Sequence, residues 1–193
     1  APDAWRKFAK TKQASKVAFD QGYKKTFRHQ TFMVELDVEA ELAEDNLYGE
    51  VLDSAAQLGD SAMLLRETDA ASVFVNAFDS AYVGADGVAL CSDSHPNGPT
   101  KSGTQDNNFA LELPKANVKT GREAMRAFKD DVNNLVGVNP NTLLVGPTLE
   151  DTAIEIAESP LDPTSANNAK NPQFGRWNVK VWDYLTDTNA WFM

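Results

Sequence analysis

The chain has 193 residues, of which 42% are hydrophobic and 24% are charged, a composition typical of a folded globular protein. No apolar run approaches the roughly 18 residues of a membrane-spanning helix, and residues 1–30 contain no apolar stretch long enough for a secretory leader, so we expect neither. The single cysteine, Cys91, excludes an internal disulfide framework and a metal cluster built from several cysteines.

The net charge of −10 is distributed unevenly along the chain. Residues 1–30 contain eight Lys and Arg against two Asp, whereas residues 31–90 contain thirteen acidic residues against Arg66 alone. The basic segment can be a solvated tail or a nucleic-acid-binding arm, although the sequence pI of 4.6 disfavours the latter as a general activity. It can also lie on the acidic region of another copy, where opposite charges attract and set the orientation.

The first predicted elements are a strand and a very long helix. Residues 23–34 are rich in aromatic and β-branched side chains, which favours a strand. After a short helical turn over 38–43, Asn46 is a good cap for a helix whose apolar residues recur at three- and four-residue steps. This helix is predicted over 46–78 and would be roughly 50 Å long. Its narrow apolar stripe needs contacts from outside a compact domain.

The second half of the chain mixes helices and strands. Residues 79–108 are loop-rich, with a strand predicted only over 88–91, and so long a loop favours an interface role. Downstream we predict helices over 117–128 and 147–158 and strands over 142–146, 177–182 and 190–193. Trp177, Trp182, Trp191 and Phe192 are expected in a core or an interface. The predicted class is α+β.

Catalytic and metal-binding chemistry is sparse. Cys91, Asp93 and His95 resemble a nucleophile, an orienting acid and a base, but residues this close in sequence rarely converge as a triad, so a structural loop is favoured. With two histidines and one cysteine, a zinc site is not expected. The alternating acids before the long helix favour a solvated or partner-facing edge over a metal cluster. We therefore predict no enzymatic activity and no cofactor.

Several motifs occur in an order that resembles one known family. In chain order they are Glu44-Asp45-Asn46-Leu47-Tyr48-Gly49, Asn76-Ala77-Phe78, Gly84-Ala85-Asp86-Gly87-Val88-Ala89-Leu90-Cys91-Ser92, His95-Pro96, Leu143-Leu144-Val145-Gly146-Pro147, Ala166-Asn167-Asn168 and Tyr184-Leu185-Thr186-Asp187-Thr188-Asn189-Ala190-Trp191-Phe192. The chain resembles the major capsid proteins of tailed bacteriophages over residues 22–193, and is most similar to the Mu-like major head subunit group. These proteins have the Hong Kong ninety-seven-type capsid fold, which encapsulins share.

The resemblance implies a domain organisation. Residues 1–34 would be a partial, basic extended loop, residues 35–108 a peripheral domain containing the spine helix 46–78, and residues 109–193 an axial domain. The family has a further N-terminal arm and C-terminal peripheral-domain strands, which we expect this chain to lack. The acidic Val38-Glu39-Ala40-Glu41 entry to the helix departs from the family's usual pattern.

The resemblance also implies a function. The chain would be a structural major capsid subunit that assembles into hexamers and pentamers of an icosahedral shell around phage double-stranded DNA, without sequence-specific DNA binding. Its expected partners are copies of itself and the scaffolding, portal and decoration or minor capsid proteins, with assembly in the host cytoplasm and residence in the virion. The expected subunit interface comprises Lys16, Lys24, Lys25, Arg28, Glu35, Asp37, Glu39, Glu41, Glu44, Asp45, Glu50 and Asp53.

Three alternatives remain open at this point. An encapsulin-like shell would need a cargo-binding groove. A hydrolase using Cys91 and His95 would lose activity on Cys91→Ala without any effect on assembly. A nucleic-acid-binding arm would bind duplex DNA with an affinity that falls steeply with salt.

Overall fold

The structure is a computed structural model that describes residues 21–44, 48–100, 102–109, 111–130, 133–162 and 169–193. Two residues of the expected interface, Lys16 and Asp45, lie outside the described residues, as does the 166–168 motif.

Residues 21–39, which we call the arm, contain neither helix nor strand. The strand predicted over 23–34 is therefore wrong. A strand needs a partner that takes up its backbone hydrogen bonds, and no described residue of the chain provides one. Every residue of the arm is exposed, up to 88% for Met33, and the arm leads into the short helix α1 (Ala40–Glu44).

Helix α2 (Tyr48–Val75) confirms the long helix predicted over 46–78. Its 28 residues extend for about 42 Å, because an α-helix rises about 1.5 Å per residue. Ala71 is its one buried residue, so nearly the whole helix surface is open to solvent in the single chain.

The segment that follows α2 is irregular and is organised around a small antiparallel ribbon. Strand β1 (His95–Pro96) pairs with β2 (Thr104–Gln105), with His95 opposite Gln105. The strand predicted over 88–91 is wrong, since only an isolated bridge between Val83 and Ala89 forms there.

A three-stranded sheet forms the centre of the C-terminal half, in the order β4-β3-β5. The central strand β3 (Thr142–Val145) is parallel to β4 (Asn178–Val181) and antiparallel to β5 (Trp191–Phe192). In β3 the side chains alternate, and Leu143 and Val145 are fully buried. The strands predicted over 142–146, 177–182 and 190–193 are confirmed.

Two helices pack on this sheet. They are α3 (Lys115–Arg126) and α4 (Glu150–Glu158), the latter preceded by a 3-10 turn at Pro147–Leu149. The helices predicted over 117–128 and 147–158 are thus confirmed, and the mixture of helices and strands fits the α+β class. The core combines both kinds of element: Leu113, Val118, Leu143, Val145, Ala153, Ile156, Ala157 and Trp177.

Among the described residues, helix α2 contacts the sheet near its C-terminal end. The Phe74 ring packs edge-on against Trp182 and Phe192, at centroid distances of 5.9 and 5.1 Å. The indole Nε1 of Trp182 also donates to the Glu67 carboxylate at 3.2 Å. Among the described residues, most side chains of the first five turns of α2 are exposed and only Val51, Ser54 and Leu58 are half-buried, which leaves this part of the helix open to contacts with other molecules.

Candidate assembly surfaces

The arm is the most exposed apolar segment of the described chain. Phe27 is 84% exposed, and a cluster over residues 32–34 follows it, with Phe32 at 61% and Met33 at 88%. Isolated apolar side chains on a surface are normal, but a contiguous run of large ones marks an interaction site.

Helix α2 exposes a second apolar surface, which we call the α2 stripe. At 100° per residue its members lie within an arc of about 80° along the helix. They are Val51, Ala55, Leu58, Ala62, Leu65 and Val73. Glu67, Ala71 and Phe74, which face the sheet, lie on the opposite side of the helix. The α2 stripe therefore points away from the chain's own core, with Asp69 as the one acid within its arc.

The described charged residues of the expected interface lie along the arm, on α1 and on the first turns of α2. Lys24 and Arg28 are exposed and form no ion pair within the described part of the chain. The described acids of the set are likewise exposed and unpaired among the described residues: Glu35, Asp37, Glu39, Glu41, Glu44, Glu50 and Asp53. These charges are available to a partner molecule.

Lys25 differs from its neighbours in the arm. Its Nζ donates to the carbonyl oxygen of Val83 at 2.8 Å and to that of Gly84 at 3.4 Å. A loop of the same chain therefore accepts hydrogen bonds from the ammonium group of this lysine. The sequence offered no signal for this contact, because backbone carbonyls attract a lysine regardless of side-chain identity.

His95 lies in the structural loop that the sequence favoured, beside an acid that the sequence did not single out. Its Nδ1 lies 2.6 Å from Asp86 Oδ2 and its Nε2 lies 3.2 Å from the Leu90 carbonyl oxygen, so neither nitrogen bonds Cys91. Asp86, not Asp93, is the acid beside the imidazole. Burial by itself would raise the pKa of Asp86, but hydrogen bonds from His95 and the Val88 N–H hold it below its ordinary value.

Cys91 is not arranged as a nucleophile. Burial raises the pKa of its thiol, so the reactive thiolate is scarce at neutral pH. The thiol lines an apolar cleft of about 270 Å³ between the end of α2, α3 and the C-terminal residues, together with Phe74, Phe128 and Phe192. The Cys91–Asp93–His95 triad considered from the sequence does not form, which removes the geometric basis of the hydrolase alternative.

The described ranges also bear on metal binding and on membrane insertion. No group of three or more His, Cys, Asp or Glu residues there is placed to hold a metal ion. Among the helices of the same ranges, none has both the length and the apolar character that a bilayer crossing requires. The features that stand out among the described residues are the exposed apolar and charged surfaces of the arm and α2, and contiguous exposed apolar side chains are typical of an interaction-forming protein.

Comparison of the sequence with known proteins identifies the family of this interaction-forming chain. A sequence model of the phage capsid protein family matches residues 24–193. The chain belongs to the phage capsid protein family, and it is a structural protein of the bacteriophage head, located in the virion. The family points to a non-enzymatic role. Neither a curated protein nor a solved structure matches the chain significantly.

Proposed function

We propose that the chain is a Mu-like major head subunit with the Hong Kong ninety-seven-type fold, which assembles into hexamers and pentamers of an icosahedral shell around phage double-stranded DNA. In this proposal residues 1–34 are the extended loop, residues 35–108 the peripheral domain and residues 109–193 the axial domain. The observation that carries it is the exposed length of α2, because a 28-residue helix with one buried residue is unusual in a monomer.

The α2 stripe and the apolar arm supply the driving force for assembly in this proposal. Among the described residues the arm is exposed throughout and the α2 stripe is largely exposed, with Val51 and Leu58 half-buried. Burying a large apolar side chain stabilises a complex by about 1.5–3 kcal/mol. The arm of one subunit lies on α2 of the next, so that each contact covers two exposed apolar surfaces at once. Every subunit of a closed shell makes this same contact, so a modest contact free energy is repeated around the whole shell.

Charge fixes the direction of this contact. Lys24 and Arg28 face the acidic region of the neighbouring subunit, which includes Glu50 and Asp53 on the first turns of α2. Lys16, Lys25 and Asp45, with the other acids of the set, belong to the same interface. An exposed ion pair contributes about 0–1 kcal/mol, so these pairs mainly set orientation and make assembly sensitive to salt.

The remaining partners follow from the same role. Scaffolding, portal and decoration or minor capsid proteins contact the shell, which forms in the host cytoplasm. The subunit's net charge of −10 suits a DNA container, since an inner wall that bound the phosphate backbone tightly would hinder packaging and release.

A charge-swap experiment tests the proposed contact. Lys24→Glu with Arg28→Glu should raise the concentration needed for shell assembly about tenfold at low salt, with the effect lost near 1 M salt, where the Debye length is about 3 Å. Adding Glu50→Lys and Asp53→Lys to the same chain should restore assembly. Lys119→Glu with Arg126→Glu on α3 is the matched control, with the same charge change and no expected effect. Wild-type assembly by the arm variant at low salt would contradict the proposed contact.

A further inference from the structure

The turn at residues 83–88 is where the arm is attached to the rest of the chain. The two hydrogen bonds from Lys25 to the carbonyls of Val83 and Gly84 are the only ones that the arm makes with other described residues. The direction in which these two carbonyls point therefore influences where the arm lies.

The Asp86 carboxylate braces this turn, whose backbone is closed by the isolated bridge between Val83 and Ala89. Its Oδ1 accepts the Val88 N–H at 3.4 Å, while the Gly84 N–H donates to the Val88 carbonyl at 2.7 Å. The carboxylate also folds back over Gly84, where a Cβ would lie 2.7 Å from Oδ1. Glycine is thus required for this close approach, and a displacement of the Asp86 side chain would change the turn.

The His95 imidazole fixes the position of the Asp86 carboxylate. The imidazole lies between two acceptors, Asp86 Oδ2 on the Nδ1 side and the Leu90 carbonyl on the Nε2 side. Asn107 Nδ2 fixes the Leu90 carbonyl from the other side at 2.9 Å. Only the doubly protonated ring donates to both acceptors, because a neutral ring turns a lone pair toward one of them. Histidine side chains ordinarily exchange this proton between pH 5 and 8.

We propose that His95, Asp86 and the Leu90 carbonyl form a proton-operated latch, which fixes the 83–88 turn when His95 is protonated and thereby the direction of the arm. Deprotonation removes one of the two hydrogen bonds, loosens the Asp86 carboxylate and frees the Lys25 attachment. The latch is a property of the single chain. Its consequence, that pH adjusts how the arm is presented to a neighbour, rests on the proposed function.

Four charged side chains of the described residues lie on the elements around the latch: Asp86, Lys129, Lys25 and Asp93. Asp86 is the ionised group in contact with His95, and Lys129 lines an adjacent cleft together with His95 and Asn107. Lys25 approaches the turn from the arm, and Asp93 makes no bond with the imidazole. Because Asp86 is the only one of these in direct contact with the ring, the proton on His95 acts chiefly through it.

The latch is tested by magic-angle-spinning NMR of sedimented protein labelled with ¹⁵N in histidine and glycine, which works whether or not the chain has assembled. His29 is the internal control, since it is exposed in the arm and has no hydrogen-bond partner among the described residues. The signals of Gly84 and Gly87 report the turn and that of Gly22 reports the arm. Gly121 and Gly146, in the C-terminal half, serve as reference signals.

Between pH 5 and 8.5 the signals of Gly22, Gly84 and Gly87 should shift together with the ¹⁵N signals of the His95 ring and not with those of His29. Lys25→Met should leave the Gly84 and Gly87 shifts intact and abolish the Gly22 shift, and Asp86→Asn should abolish all three. Turn signals that stay constant while the ¹⁵N signals of the His95 ring change would overturn the latch. A Gly22 shift that persists in Lys25→Met would overturn its link to the arm. These readouts do not depend on shell formation, so their failure is distinguishable from failure of the proposed function.

Discussion

Leu65 lies in the middle of the α2 stripe and gives the sharpest test of how subunits meet. It is 42% exposed in the single chain. Full burial of a leucine stabilises by about 1.5–3 kcal/mol, so roughly 0.6–1.3 kcal/mol remains available to a neighbouring subunit. Leu65→Ala should therefore cost each subunit about 1 kcal/mol of assembly free energy, which raises the critical concentration for assembly about fivefold. Leu65→Asp should abolish assembly, because it places a carboxylate in an apolar contact.

The assay is light scattering over a protein dilution series, together with thermal unfolding of the unassembled subunit. The melting temperature should stay unchanged in Leu65→Ala, since alanine forms helix at least as well as leucine and the side chain supports no core contact. Leu64 is the matched control, because it is 50% exposed and lies 100° around the helix from Leu65, outside the α2 stripe. An unchanged critical concentration for Leu65→Ala, or an equal rise for Leu64→Ala, would refute the reasoning.

Three further predictions concern the single chain. Gly146→Ala should lower the free energy of unfolding by about 1–3 kcal/mol, and the melting temperature by roughly 2–4 °C per kcal/mol, because its Cβ would lie 3.1 Å from the rigid Leu185 carbonyl oxygen. Asp86→Asn should lower the melting temperature at pH 7 but not at pH 2. The pKa of Asp86 is lower in the folded chain than its ordinary value of 3.8, so the ionised carboxylate stabilises the fold above pH 3.8. This contribution is lost as the pH falls through the folded-state pKa. The Cys91 thiol should react slowly with a disulfide reagent at pH 7 in the folded chain and rapidly in urea, because burial raises its pKa, and Cys91→Ala should assemble normally.

The elements that depend on local pattern could be predicted from the sequence. The three- and four-residue spacing of apolar side chains predicted α2 to within three residues at either end. The alternation over 142–146 likewise predicted β3, whose Leu143 and Val145 are buried. Strand partners and register could not be predicted, because the parallel pairing of β3 with β4 is a non-local property of the folded sheet.

The arm shows why one local prediction was wrong. Aromatic and β-branched residues over 23–34 favour an extended backbone, and the backbone does lack helix there. A strand, however, also needs a second strand to pair with, and the described chain does not provide one. Composition therefore predicted the local preference but not the pairing.

The sequence favoured a structural loop over a triad at His95, but it did not identify the acid that lies beside the imidazole. The Cys91-x-Asp93-x-His95 spacing associated the histidine with Asp93, whereas the structure pairs it with Asp86, nine residues earlier. The Gly84-Ala85-Asp86-Gly87 motif was a usable signal, since a turn at that position reverses the chain and can bring Asp86 back toward the segment containing His95. Asp86 lies close to His95 in space because the chain reverses its direction at this turn, although the two residues are nine positions apart in the sequence.

The central claim is that this capsid family member forms closed shells, and electron microscopy of the purified chain, negatively stained at low salt over a range of concentrations, tests it most directly. The account predicts regular icosahedral shells, or free hexamers and pentamers, that disappear in Leu65→Asp. A chain that remains a monodisperse monomer at high concentration would contradict it.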